Sequence, residues 1–262
     1  MSLTVAAVAE LVSGRLEGDG AAAVTGVAPL QSAGPGDVSF LLQSRYAREL
    51  RETRAAVVLI SKTSDLRRDG PTIRVGDPQL AAIRVIGALG LEDRSHPFEG
   101  ISDRAHVDPG ARLDPGVAVA PFVTVCAGAR VGAGTVLYPG SFVDRDVSIG
   151  RNCVLYPNAC VLRSCRLGDR VVLGPGAAVG FDGFGFHPTS GGAVRVPQLG
   201  NVVVEDDAYL GANATVDRAR FGSTRIGRGA ALDNMVHVAH NCSIGDHTLI
   251  AAQTGLAGGV RG

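Results

Sequence analysis

Asp233-Asn-Met-Val-His237-Val-Ala-His240-Asn241 gathers one carboxylate, two imidazoles and two carboxamides into nine residues. Histidine takes up and returns protons near neutral pH, and a nearby carboxylate can fix its tautomer and stabilise the imidazolium. The set therefore suits general acid–base work. It equally suits a solvated outer surface, and the residue types alone leave both readings open. Phe181, Phe184 and Phe186 are spaced by glycines and read either as loop packing or as the wall of an apolar groove. Phe40 and Tyr46, six residues apart, read either as core or as a pair sandwiching a flat ring. Gly180, Gly183 and Gly185 miss the glycine spacing of a dinucleotide-binding turn.

The elements that must hold these residues are announced by a period of six. From Ile101 to Val179 fourteen consecutive hexads each begin with Ile, Leu or Val. The fifth residue of each hexad is small or β-branched, as in Ala105, Ala111, Thr135, Ser141, Cys153 and Ala159. Six fits neither an amphipathic helix nor a hairpin; it fits a three-sided solenoid with one short strand and one corner per hexad. The aliphatic residue fills the prism, the small one eases the corner, and rungs stack ~4.8 Å apart. The period breaks after Val179, resumes at Val204, Leu210 and Val216, slips once, and continues from Ile226 to Leu256. Residues 181–200 thus read as an excursion ejected from the coil stack, where function tends to collect.

Residues 1–98 lack the period and read as a small α/β domain. Val5–Leu11 predicts a short helix, Asp37–Phe40 a strand leading to a helix near 45–54, Ala55–Ile60 a buried strand and Pro78–Leu89 a helix. Asp93–Gly100 reads as a linker, and residues 101–262 as the solenoid. The chain stops at Gly262 inside a hexad, so a truncated C-terminus is expected.

Net charge is zero, and no basic run marks a nucleic-acid surface. No apolar stretch approaches the ~20 residues of a membrane span, and no export signal opens the chain, so a cytoplasmic protein is expected. Cys153, Cys165 and Cys242 fall on small inward positions and Cys126 and Cys160 elsewhere, none with metal-ligand spacing, so reduced thiols and no metal are expected.

In linear order, Asp37-Val-Ser-Phe-Leu with Tyr46, Val75-x-Asp-Pro78, the hexads, Gly180-x-Asp-Gly-Phe-Gly-Phe186, Pro197-Gln-x-Gly200, Asp217-Arg218 and Asp233-Asn with Ala-His-Asn241 resemble one family. It is the UDP-3-O-(3-hydroxyacyl)glucosamine N-acyltransferases of lipid A biosynthesis. The resemblance implies a left-handed parallel β-helix assembled as a homotrimer. It also implies transfer of a 3-hydroxyacyl chain from acyl carrier protein to the 2-amino group of the UDP-sugar. No cofactor is implied beyond the phosphopantetheine that carries the donor. His240 matches the family's general base, Asp233 the acid that orients it, and Gly258 the backbone donor to the thioester oxyanion. Phe40 and Tyr46 match the aromatics that stack uracil. Gln43 stands where the family commonly has Asn, altering a uracil hydrogen bond without removing it. Phe184, Asn234 and Asn241 are expected among the substrate contacts, whereas His237 and His247 match no family role. Two other readings compete: an acetyl-CoA-dependent hexapeptide acetyltransferase, and a non-catalytic sugar-nucleotide-binding solenoid.

Overall fold

In the N-terminal stretch, the continuous apolar run Val57-Val-Leu-Ile60 dictates a strand buried on both faces. Val57 and Leu59 join Val5, Val8, Val85 and Leu89 in one core, while Val58 and Ile60 join Leu41 and Leu50 in a second. A computed structural model describes residues 1–93 and 95–262, which form two units, Met1–His96 and Pro97–Gly262. The first unit is built on a five-stranded sheet in the order Arg15–Glu17, Thr72–Val75, Val57–Ser61, Asp37–Phe40, Gly26–Val27; only the first pairing is antiparallel. The helix Pro78–Leu89 starts where expected. Asp77 accepts from the N–H groups of Gln79 and Leu80 at 2.9 and 3.0 Å, Pro78 occupies the first turn, and Gly90 closes the helix with φ 66°. Val5–Leu11 is helical, and the helix expected near 45–54 is a 3₁₀ turn, Ser44–Tyr46, followed by Ala47–Glu52.

Glu17 ties the edge strand to its neighbour. Hydrogen bonds from Arg15 and then Arg74 hold its carboxyl at about 2, against an ordinary 4.5. A carboxylate depressed in the folded state stabilises fully above its ordinary value and loses that contribution as pH falls through the folded one. Between pH 4.5 and about 2 the parent's melting temperature should therefore fall more steeply than that of Glu17→Gln.

The second unit is the solenoid. Two-residue strands repeat from His106–Val107 onward and pair in parallel with strands 18 residues away in sequence, as Val136 does with Val154. They stack into three ladders. The first face begins at His106–Val107, the second at Arg112–Leu113 and the third at Ala118–Val119. Inward aliphatics such as Leu137, Leu155, Leu173, Leu210 and Leu232 are fully buried in a single core. Each buried side chain of this size stabilises the prism by about 1.5–3 kcal/mol. Cys153, Cys165 and Cys242 fill the same interior. Corners demand a positive φ, supplied by glycine at Gly116, Gly128 and Gly134 and by Asp146 and Asn152, which tolerate it.

The outward rows differ in chemistry. On the third face Val136, Val154, Val172, Tyr209, Ala231 and Leu249 stack in register, from a buried Val136 to a Leu249 that is 80% exposed. On the second, Arg112, Arg130 and Arg166 share an exposed row with Ser148. Among the described residues, no helix is long and apolar enough to cross a membrane.

Candidate active site

Both departures from the six-residue period leave the prism at one corner, between the first and second faces. Residues 183–200 run out between Ala178–Asp182 and Asn201–Val204, and residues 219–222 between Thr215–Arg218 and Ser223–Ile226. His240 turns the next coil at that same corner, between His237–Val238 and Ser243–Ile244.

The half-buried imidazole is bracketed by two glycines. A Cβ on Gly183, in the excursion, would lie 2.9 Å from His240 Cβ and 3.0 Å from Cδ2. A Cβ on Gly258, one coil on, would lie 2.8 Å from Cε1 and 2.9 Å from Nε2. Only bare backbone lets both chains approach the ring so closely. The structure thus brings His240 and Gly258 together.

The tautomer follows from Asn241. Its Nδ2 donates to the carbonyl of Phe221 at 3.0 Å, and its Oδ1 accepts from the N–H of Arg220 at 3.0 Å. These contacts orient the amide, so the oxygen is what meets His240 Nδ1 at 3.2 Å. Nδ1 must then carry the proton and donate, leaving the lone pair on Nε2, the nitrogen beside Gly258. The group beside His240 Nδ1 in the same chain is the Asn241 carboxamide and not the Asp233 carboxylate. Within one chain Asp233 sits at the far end of the first face, at its corner with the third. There it is exposed, and its Oδ1 accepts from the N–H of Asn234 at 2.7 Å. Asn234 accepts from the N–H of Ala212 at 2.7 Å, stitching two coils together at that corner.

A β-bulge beside the site re-aims two further residues. The strands Ala178–Asp182 and Thr215–Arg218 shift register at Gly180, where φ is 93° and a Cβ would overlap Cys165 Sγ. Arg218 turns into the prism and is 1% exposed. It donates to the carbonyls of Gly180, Gly200 and Arg163 at 2.8, 3.1 and 3.2 Å, with Asp182 Oδ1 at 3.4 Å. One guanidinium thus holds both ends of the excursion. Asp217 stays near the outer surface, largely buried, with its Oδ2 3.7 Å from His237 Nε2. Burial raises its carboxyl above the usual range, against the opposing pull of His237 and His240. Sequence reasoning gave neither residue a role; the signal was the glycine inside a strand followed by a slipped hexad.

The excursion carries the hairpin Phe186–Thr189 with Gly192–Arg195. Phe184 is 85% exposed, its ring centroid 5.0 Å from that of Phe186. Burial pushes Cys165 up and Cys153 to about 11, keeping both protonated, and Cys242 is fully buried with its Sγ donating to the Ala257 carbonyl at 3.1 Å.

In the first unit, Phe40 and Tyr46 line one ≈ 350 Å³ cavity with Ala28, Pro29, Gln31 and Leu42. The Arg45 guanidinium lies 4.9 Å from the Tyr46 ring centroid and donates to its hydroxyl at 3.0 Å. Gln43 is exposed, and its carbonyl accepts from the N–H of Tyr46 at 3.2 Å.

Comparisons with known proteins agree with this anatomy. A family profile described as UDP-3-O-(3-hydroxymyristoyl) glucosamine N-acyltransferase matches residues 21–88. Bacterial transferase hexapeptide repeats match residues 146–180 and 223–258. The UDP-3-O-acylglucosamine N-acyltransferase of Syntrophotalea carbinolica is 50% identical over 97% of this chain and 74% of its own. That of Syntrophus aciditrophicus is 46% identical over 100% of this chain and 72% of its own. In fold, an Arabidopsis UDP-N-acetylglucosamine acyltransferase superposes with a TM-score of 0.53 at 24% identity, covering 62% of this chain and 56% of that one. With half of its residues identical to a named relative along nearly its full length, the chain belongs to the UDP-3-O-acylglucosamine N-acyltransferase family.

Proposed function

We propose that the protein transfers a 3-hydroxyacyl group from the phosphopantetheine of acyl carrier protein to the 2-amino group of UDP-3-O-(3-hydroxyacyl)glucosamine, a step of lipid A biosynthesis in the cytoplasm. The observation that carries this reading is the His240 Nε2 lone pair held beside Gly258, with Asn241 fixing the opposite nitrogen. As the amine attacks the thioester carbonyl, Nε2 takes the amine proton. The C–N bond forms, the C–S bond breaks, and the imidazolium returns its proton to the departing thiolate. The Gly258 N–H is the donor assigned to the oxyanion. Phe184 and Phe186 provide apolar surface at the same corner for an acyl chain. The Phe40–Tyr46 cavity has room for a uracil ring between aromatic and aliphatic walls. Catalysis on this reading needs no cofactor of its own.

The apolar outward row on the third face supports a homotrimer packed through that face, since its partly exposed Val154 and Val172 and exposed Tyr209 and Leu249 favour association. Asp233, remote from His240 in its own chain, can act on an imidazole only from a neighbouring protomer.

The deciding experiment offers the enzyme 3-hydroxyacyl carrier protein and acetyl-CoA in parallel, with UDP-3-O-acylglucosamine as acceptor. Transfer from the carrier protein is expected, and turnover with acetyl-CoA alone would replace this reading by the acetyltransferase one. In the same preparation Phe40→Ala should weaken binding of uridine monophosphate at least tenfold by calorimetry. Unchanged affinity would remove the cavity from the substrate site.

A further inference from the structure

His237 matches no role implied by the resemblance, yet its surroundings are built. It stands on the outward row of the first face, where its Nδ1 lies 2.8 Å from Thr215 Oγ1 on the adjacent strand. Its other nitrogen, Nε2, lies 3.7 Å from Asp217 Oδ2. Asp217 reaches this position because the bulge at Gly180 shifts the register of its strand, leaving it largely buried rather than solvated. Three ionisable groups face it: His237 on the adjacent strand, His240 at the corner beyond, and Asp182 on the strand of the preceding coil. The two imidazoles favour its ionised form and Asp182 opposes it. Arg218, next in sequence, points inward and gives its donors to carbonyls.

We infer that Asp217 is a positioning residue that His237 and His240 share, one largely buried carboxylate stabilising a proton on either imidazole. The inference rests on His240 being the base. Thr215 holds His237 against the carboxylate, and the charge on His237 then sets how much of the Asp217 field remains for His240. When His240 takes the amine proton, Asp217 offsets the new positive charge; a protonated His237 opposes it. The pair is therefore a built-in brake at acidic pH, acting through electrostatics and touching no substrate.

The sign of each consequence is fixed. Asp217→Asn removes the stabilising charge, so the His240 imidazolium titrates at lower pH than in the parent. His237→Gln removes the competing cation, so His240 titrates at higher pH. Shifts of about half a unit or more are expected for charges coupled at this range. Histidine-selective NMR on the full chain reads the six imidazoles directly, with His240→Ala and His237→Gln assigning the two that matter. Steady-state kinetics on the same proteins should show kcat falling about tenfold in Asp217→Asn with KM unchanged, and the acid limb of the profile moving with the NMR midpoint. Burial disfavours the ionised carboxylate, so Asp217→Asn should melt at or above the parent temperature, an outcome opposite to that of a structural strut. If it does not fold, the exposed His237→Gln carries the test alone. A His240 midpoint unmoved by either variant, or moved the same way by both, overturns the inference. The NMR readout requires no turnover. Opposed shifts without acyl transfer would sink the acyltransferase reading alone, and transfer with unmoved midpoints would sink this one alone.

Discussion

His240→Ala leaves about one part in 10²–10⁴ of the acyl transfer rate, the span expected when a positioned base is lost. The loss should lie in kcat. The ring is bracketed by Gly183 and Gly258 and is not part of the buried core, so its removal leaves a notch and not a collapsed coil. Uridine monophosphate binding, attributed to the other unit, should be unchanged. Mixing His240→Ala with Asp233→Ala protomers sharpens the test. If Asp233 serves a neighbour's imidazole, mixed trimers recover sites with both groups intact, whereas no recovery removes Asp233 from the proton transfer. Parent-like turnover in His240→Ala, measured by release of free carrier-protein thiol, would refute the role of base.

The second large effect is on stability. Arg218→Ala should destabilise the solenoid by about 3–5 kcal/mol, as breaking a buried charged network does. The substitution strands three carbonyls, those of Gly180, Gly200 and Arg163, and takes the buried cation away from Asp182. Lysine cannot substitute, because three carbonyls in different directions need the forked guanidinium. Urea unfolding measures the loss, and limited proteolysis should cut within 183–200 before the coils open. Equal resistance in parent and variant would mean that the excursion is held by something else.

Much of the architecture was legible because it is periodic. Inward aliphatics every sixth residue recur as a stacked core from Val107 to Leu256, and Asp77, Pro78 and Gly90 delimit a helix by local chemistry alone. The corner that carries His240 was half legible: both slips in the hexad were visible, but not that they leave the prism at the same edge. That coincidence depends on counting coils through a bulge whose register no local signal sets. The in-chain neighbour of the imidazole was not legible for a related reason. Asp233 and His240 are close in sequence, yet one prism side separates them, whereas Asn241 is adjacent and oriented by atoms of residues 220 and 221. Asp217 and Arg218 were quoted without a role because alternation does not say which of two consecutive residues turns inward once a strand is bulged.

The anchoring of the excursion at its two ends, by Arg218 and by Arg163 at the Gln198 carbonyl, separates two design problems. Arg218 grips the backbone at Gly180 and Gly200, and Gly183 fixes the strand that crosses the imidazole. Near the end of the excursion Gln198 is buried and its carbonyl accepts from Arg163, whereas the exposed part before it, Phe184, Phe186 and the hairpin, stays outside the coil stack. Its length and side chains can be exchanged while the proton-handling corner keeps its coordinates. If the proposed acyl transfer holds, grafting that segment from a relative changes the apolar surface offered to the acyl chain on an unchanged scaffold.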